Sequence, residues 1–334
     1  MDIITTLLSH GIWVAILFII VGFVALVKGA DFLVDGASAI AKRFGISDLV
    51  IGLTVVAFGT SMPEFVVNMV SVAEGSTDLA ITNILGSNII NTFVILGLTA
   101  LVYPVVSQKR SRDFDIPMSI IAGVLVLCFV AIELPFGEAE RGIGRTGGII
   151  LLLMFCYFLY NTFRHAKDHP EEVQGEDVQS TKEMPIRRAI ALIIGGFVGL
   201  VVGGELIVKS AVDIAVRCGV SEAIIGLTIV ALGTSLPELA TSVIAAFKKN
   251  SDIALGNVIG SNIFNVFFVL GTSATVRPLP AYEGIELDAM VAALGSIIAW
   301  LAVKTNKERK IQRWAGALLL IVYIGYLSYR LLNI

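Results

Sequence analysis

Charge is scarce in this chain. Only 15% of its 334 residues are Asp, Glu, Lys or Arg, where a soluble protein uses roughly 25% to keep its surface in water. That shortage argues against a soluble enzyme. Basic residues form no stripe and the formal net charge is −3, so a nucleic-acid partner is not expected. Cysteine is nearly absent. Cys128, Cys156 and Cys218 stand far apart, each in or beside an apolar run, and read as small core residues rather than a metal site or disulfide framework. Histidine is limited to His10, His165 and His169, at a span edge or in a loop, which leaves an intramembrane hydrolase without a placed base. What the chain does have is apolar length. It is 56% hydrophobic with a mean hydropathy of +0.87, in runs close to the roughly 20 residues that cross a bilayer. The first run, residues 11 to 27, has no basic region before it and is too long for a signal-peptide core, so it reads as a retained span.

The apolar runs predict ten spans, near residues 11–29, 47–72, 79–102, 116–134, 145–163, 188–208, 221–247, 252–276, 287–303 and 312–331. Segments 30–43 and 205–217 read as polar ends of tilted first and sixth helices. The fold class expected is therefore an all-α polytopic membrane protein whose surroundings are the lipid bilayer. The long polar stretch 164–188 reads as a solvated linker, dividing the chain into residues 1–163, a loop 164–187, and residues 188–334. Lys and Arg fall about 18 to one side and 6 to the other in alternate connections. The positive-inside bias then places both termini outside and the middle loop in the cytoplasm.

The halves repeat. Residues 30–97 align without gaps on 204–271, with 29 of 68 positions identical. One shared block runs Gly52-Leu-Thr-Val-Val-Ala-Phe-Gly-Thr-Ser-Met-Pro-Glu64 against Gly226-Leu-Thr-Ile-Val-Ala-Leu-Gly-Thr-Ser-Leu-Pro-Glu238; the other runs Gly86-Ser-Asn-Ile-Ile-Asn91 against Gly260-Ser-Asn-Ile-Phe-Asn265. Five spans per half is odd, so the second copy enters the bilayer with opposite polarity, giving two inverted five-helix repeats. That is a recurring plan of secondary transporters, which place their site at the midplane between copies.

The repeated residues are polar and lie inside apolar spans. A carboxylate at membrane depth costs at least ~2.5 kcal/mol, and Glu64 and Glu238 have no Lys or Arg at the centre of their own spans. A salt bridge to another helix or a protonated carboxyl would be the plain explanation; facing a hydrated centre that holds a divalent cation is the sharper one. Thr60 and Ser61, and Thr234 and Ser235, precede the acids by four and three residues and share their helix face. Pro63 and Pro237 cannot donate to the carbonyls of Gly59 and Gly233, so both helices should kink and free backbone oxygens. Ser87 and Asn91, like Ser261 and Asn265, are i, i+4 pairs on one face, while Asn88 and Asn262 point toward a neighbouring helix. All these groups are oxygen donors. Such a set suits Ca²⁺ and Na⁺; transition metals would ask for His or Cys, and Mg²⁺ gives up its waters reluctantly.

With both blocks present twice, in order and around a polar loop, the chain resembles the calcium/cation antiporter superfamily, most closely its bacterial sodium/calcium exchanger branch, over nearly its whole length. The resemblance implies exchange of external Na⁺ for internal Ca²⁺, with H⁺ or K⁺ as the alternative coupling ion, by alternating access in which the first and sixth helices slide against the rest. Carried over residue by residue, the ligands would be Thr60, Ser61, Glu64, Ser87, Asn91, Thr234, Ser235, Glu238, Ser261 and Asn265, with the backbone carbonyls of Ala57 and Ala231. No cofactor, no enzymatic activity and no obligate protein partner are implied. Some relatives carry an acid where this chain has Asn91 or Asn265, which leaves coupling ion and stoichiometry open. A passive cation channel is the competing class; it would need a continuous pore.

Overall fold

A computed structural model describes residues 3–8, 11–132, 141–168, 184–219, 231–282 and 284–332. Eight of its helices are long and apolar enough to cross a membrane, and a bent pair makes a ninth. In chain order, after a short helix Ile3–Leu8, they are α1 (Ile12–Phe44), α2 (Asp48–Thr60 continued by Met62–Glu74), α3 (Thr77–Val102), α4 (Ser111–Ala131) and α5 (Arg145–Asp168). Next come α6 (Ile186–Arg217), α8 (Ser251–Val276), α9 (Ile285–Thr305) and α10 (Arg313–Leu332), and between α6 and α8 lies the shorter α7 (Ala231–Thr234 continued by Leu236–Phe247), which is not among the nine. The first part of the seventh expected span, residues 221–230, lies outside the described residues, as do His10, His169 and most of the expected linker.

Two sequence expectations change. The segments 30–43 and 205–217 do belong to α1 and α6, but residues 164–168, expected in the linker, complete α5. Cys156 and Cys218, expected in the core, are exposed, and all three cysteines are free. In a bilayer the outer face of a helix meets lipid, so a small, weakly polar thiol there carries little penalty. The same logic accounts for the exposed Trp13, Phe23, Leu153 and Ile324.

Burial orders the helices. In their most apolar stretches α8 is 94% and α3 78% buried inside the protein, whereas α1 and α6 are 22% buried. The motif helices of the two halves thus form the centre. α1 and α6 lie along each other at the periphery, and glycines set their spacing. A Cβ on Gly29 would sit 2.8 Å from the carbonyl oxygen of Gly196, and one on Gly22 2.8 Å from that of Gly203. Residue numbers rise on one helix as they fall on the other, so the pair is antiparallel. Backbones this close gain packing where no hydrophobic drive between helices exists.

Four two-residue strands tie the halves at the helix ends. β1 (Val105–Val106) pairs with β4 (Lys310–Ile311), and β2 (Gly142–Ile143) with β3 (Leu279–Pro280). Each half therefore lends one strand to each ribbon. Nothing in hydropathy marks these strands, because two residues give no alternation to read.

Candidate functional site

The break expected at proline is present in both halves. Ser61 (φ −86°, ψ 7°) and Ser235 (φ −88°, ψ 5°) interrupt α2 and α7 in nearly the same backbone state, between helix and strand geometry. Pro63 and Pro237 sit in the first turn of the segments that follow, where a missing N–H is harmless. The bend in α2 is 45°. Glu64 and Glu238 consequently fall in the first turn of a new helix, where unsatisfied N–H groups favour negative charge. Each carboxylate also takes its own backbone N–H.

Both acids are fully buried, and among the described residues neither is paired with a cation. Glu238 lies close enough for its charge to act on Glu64. Contacts cross between the halves: the Ser61 hydroxyl of α2 donates to Oε1 of Glu238 on α7 at 2.7 Å. Thr60 also faces Glu238, and Thr234 of α7 faces Glu64. Ser87 lies 3.5 Å from Oε1 of Glu64.

Asn91 and Asn265 occur where α3 and α8 loosen into π-helical turns, Ile90–Ile95 and Phe264–Leu270. Turns of this kind gather at functional sites because they redirect side chains and slacken the hydrogen-bond ladder. Asn265 donates to Oδ1 of Asn88 at 3.1 Å, Asn88 donates to the carbonyl of Asn262 at 3.1 Å, and Asn262 donates to Thr92 at 2.8 Å. Asn88 and Asn262 thus stitch α3 to α8. Gly260 lets α8 approach α2, since a Cβ there would lie 2.7 Å from the Leu53 carbonyl oxygen.

A group of buried oxygens has no hydrogen-bond partner among the described residues: Oε2 of Glu64, Oε2 of Glu238, the hydroxyls of Ser235 and Ser261, and Oδ1 of Asn91 and of Asn265. Orphaned buried oxygens are costly, about 1–3 kcal/mol each and more when charged. Oxygen donors of this kind are what a bound hard cation satisfies. The two carboxylates match a divalent charge, the neutral oxygens fill a large coordination shell, and among the described residues no cluster of three His, Cys, Asp or Glu exists to favour a transition metal. Ala57, one turn before the break, is buried against this centre, and its carbonyl already accepts from the N–H of Ser61 at 3.1 Å. The backbone of Ala231 opens the equivalent turn of α7.

Sequence inspection did not single out Asn257. It is fully buried on α8 and makes three contacts: Thr60 donates to its Oδ1 at 3.0 Å, and its Nδ2 donates to the Ser242 hydroxyl at 2.9 Å and to the Glu238 carbonyl at 3.3 Å. A signal was available, since position 83 in the first half is also Asn and the second shared block extends upstream to it.

A family profile described as "Sodium/calcium exchanger protein" matches residues 14–164 and 188–332. Sodium/calcium exchanger MaX1 of Methanosarcina acetivorans is 33% identical, over 95% of this chain and 98% of that protein. Inner membrane protein YrbG of Escherichia coli is 37% identical, over 84% of this chain and 87% of that protein. Among solved structures, the sodium-calcium exchanger NCX_Mj soaked with 2.5 mM Na⁺ and 0.1 mM Ca²⁺ superposes with a TM-score of 0.80 at 31% identity, covering 94% of this chain and 97% of that one.

Proposed function

The chain belongs to the sodium/calcium exchanger family, and from that premise we propose that it is a secondary antiporter exchanging Ca²⁺ for Na⁺ by alternating access, with one cation site between its halves. The observation that carries this is the contact across the halves at Glu238, with Glu64 close by and orphaned oxygens around both. Two carboxylates offset a Ca²⁺ ion in surroundings where an uncompensated charge is expensive. Na⁺ uses the same oxygens, so the two ions compete for one centre, and competition within one alternating site is what couples their opposite movements. The ligands are Thr60, Ser61, Glu64, Ser87 and Asn91 with their mates Thr234, Ser235, Glu238, Ser261 and Asn265, joined by the carbonyls of Ala57 and Ala231.

The same reading has ten spans in two inverted five-helix halves, residues 1–163 and 188–334, around a cytoplasmic loop. The basic-residue bias supports placing both termini outside, and the name of the relative YrbG supports an inner membrane. The chain acts as a carrier rather than an enzyme, and needs no cofactor and no obligate protein partner. α1 and α6, locked to each other through glycine and peripheral to the site, move as a pair against the buried helices. The test is calcium uptake into inverted vesicles under imposed Na⁺, K⁺ or pH gradients. Uptake driven by the Na⁺ gradient alone supports Na⁺ coupling; uptake that follows only the pH or K⁺ gradient replaces it with the alternative ion. Calcium flux that no opposing gradient accelerates points to a channel.

A further inference from the structure

Asn257 lies one turn before Ser261 and two before Asn265 on α8, facing the broken parts of both α2 and α7. Its amide orientation is dictated by its surroundings. Only an N–H can sit beside the Glu238 carbonyl, so Nδ2 is fixed toward α7 and Oδ1 is left toward Thr60. The Ser242 hydroxyl, 2.9 Å from Nδ2, holds the same orientation. Thr60 has a single hydroxyl proton, and the acceptors around it are Asn257 Oδ1 at 3.0 Å, the carbonyls of Val56 and Ala57 at 3.1 and 3.3 Å, and the Glu238 carboxylate. The first three compete with Glu238 for that proton. Where the proton turns to Asn257, oxygen lone pairs are left toward the carboxylate, the form in which a hydroxyl can hold a cation.

The other half is built differently. Asn83, the repeat mate of Asn257, is half-buried and turns its Nδ2 to Oδ1 of Asn68 at 2.8 Å. Among the described residues, the buried hydroxyl of Thr234, the mate of Thr60, makes no hydrogen bond of ordinary geometry. Asn68 stands where the second half has Ser242. A carboxamide in place of a hydroxyl offers Asn83 a strong acceptor within its own half, while Asn257 bridges the two halves.

We infer that Asn257 is a positioning residue of the cation site, orienting the Thr60 hydroxyl and fixing the start of the Glu238 helix, and that Asn83 has no matching task. This rests on the proposal that Thr60 and Glu238 face a shared cation. Asn257 touches no ion itself; it acts through Thr60 and the α7 backbone.

The experiment is a double-mutant cycle in reconstituted vesicles, with half-saturating Ca²⁺ and maximal exchange rate measured separately for Asn257→Leu, Thr60→Val, the double variant and Asn83→Leu. Leucine keeps the volume and removes every hydrogen bond. Asn257→Leu should raise half-saturating Ca²⁺ about tenfold, the loss expected for one or two buried hydrogen bonds. Added to Thr60→Val, it should cost no more than about twofold further, because the group it orients is gone. Asn83→Leu should stay within about twofold of the parent. Effects of Asn257→Leu and Thr60→Val that multiply in full would overturn the coupling, as would equal effects of Asn257→Leu and Asn83→Leu. A loss in maximal rate alone would make Asn257 mere packing. If Asn257→Leu fails to insert, Asn257→Ser, too short to span Thr60 and Ser242, answers the same question, with Ca²⁺-dependent thermal stabilisation of the purified protein as readout. Failure of the underlying site has a different signature: Thr60→Val and Glu238→Gln would both exchange calcium normally.

Discussion

The α2 break and the α7 break carry the same residues and nearly the same backbone angles, yet their side chains are engaged differently. Ser61 donates to Glu238 across the halves, while Ser235 has no hydrogen-bond partner among the described residues; Thr60 is tied to Asn257, while Thr234 is not. The contrast extends to the helix ends. Lys248, after α7, forms ion pairs of 2.6 Å with both Asp31 and Asp35 of α1. Its mate is Glu74, the last residue of α2, and the mate of Asp35 is Lys209, which pairs with Glu205 on its own helix α6. Near-identical breaks, set among mates that differ in sequence, thus end in unequal structure. Under the proposed inverted repeat, exchanging the two arrangements between the halves would open the site toward the opposite side of the membrane.

The strongest way to break this comparison is to remove one acid. Glu64→Gln or Glu238→Gln should each lower Na⁺-dependent calcium uptake by at least ~100-fold while the protein still inserts, because a single charge cannot offset a divalent ion at that depth. Normal uptake by either variant would show that the halves do not depend on each other. A smaller effect is expected at the α1–α6 contact. Gly29→Leu places a side chain where even a Cβ meets the Gly196 carbonyl oxygen at 2.8 Å, so the pair must spread, and exchange should fall about tenfold with calcium binding retained. Equal losses of binding and exchange would contradict movement of the pair as a unit.

The serines sharpen the contrast directly. Ser61→Ala removes a hydrogen bond to a carboxylate, of order ~1.5–3 kcal/mol, whereas Ser235→Ala removes a hydroxyl with no such bond. Half-saturating Na⁺ should rise several-fold more for Ser61→Ala; matching shifts would mean that the asymmetry has no energetic weight. The smallest effect belongs to Lys248→Ala. Partly exposed ion pairs are worth about 0–1 kcal/mol, so the balance between access states should move no more than about fivefold, read as labelling of single cysteines placed on either face of the site.

Much of this was legible beforehand for a physical reason. Lipid demands long apolar helices, so hydropathy locates them within a few residues, and a polar block repeated inside apolar spans marks the place where the cost must be answered. Pro63 and Pro237 announced the breaks because a missing N–H cannot be hidden. The π-turns at Ile90–Ile95 and Phe264–Leu270 were not legible, since their i, i+5 bonding leaves no compositional mark. Nor was the role of Asn257: on one helix an Asn is equally good as interhelical glue, and only its three partners from two other helices separate the cases. The exposed Cys156 and Cys218 misled because in a bilayer apolar does not mean interior.

Equilibrium binding of calcium to the purified protein addresses most directly whether Glu64 and Glu238 serve a single site. With one shared site the parent chain binds one Ca²⁺, Na⁺ displaces it, and Glu64→Gln and Glu238→Gln each abolish binding altogether. If instead either variant retains a full-affinity calcium site, the carboxylates act separately and the shared centre between the halves does not exist.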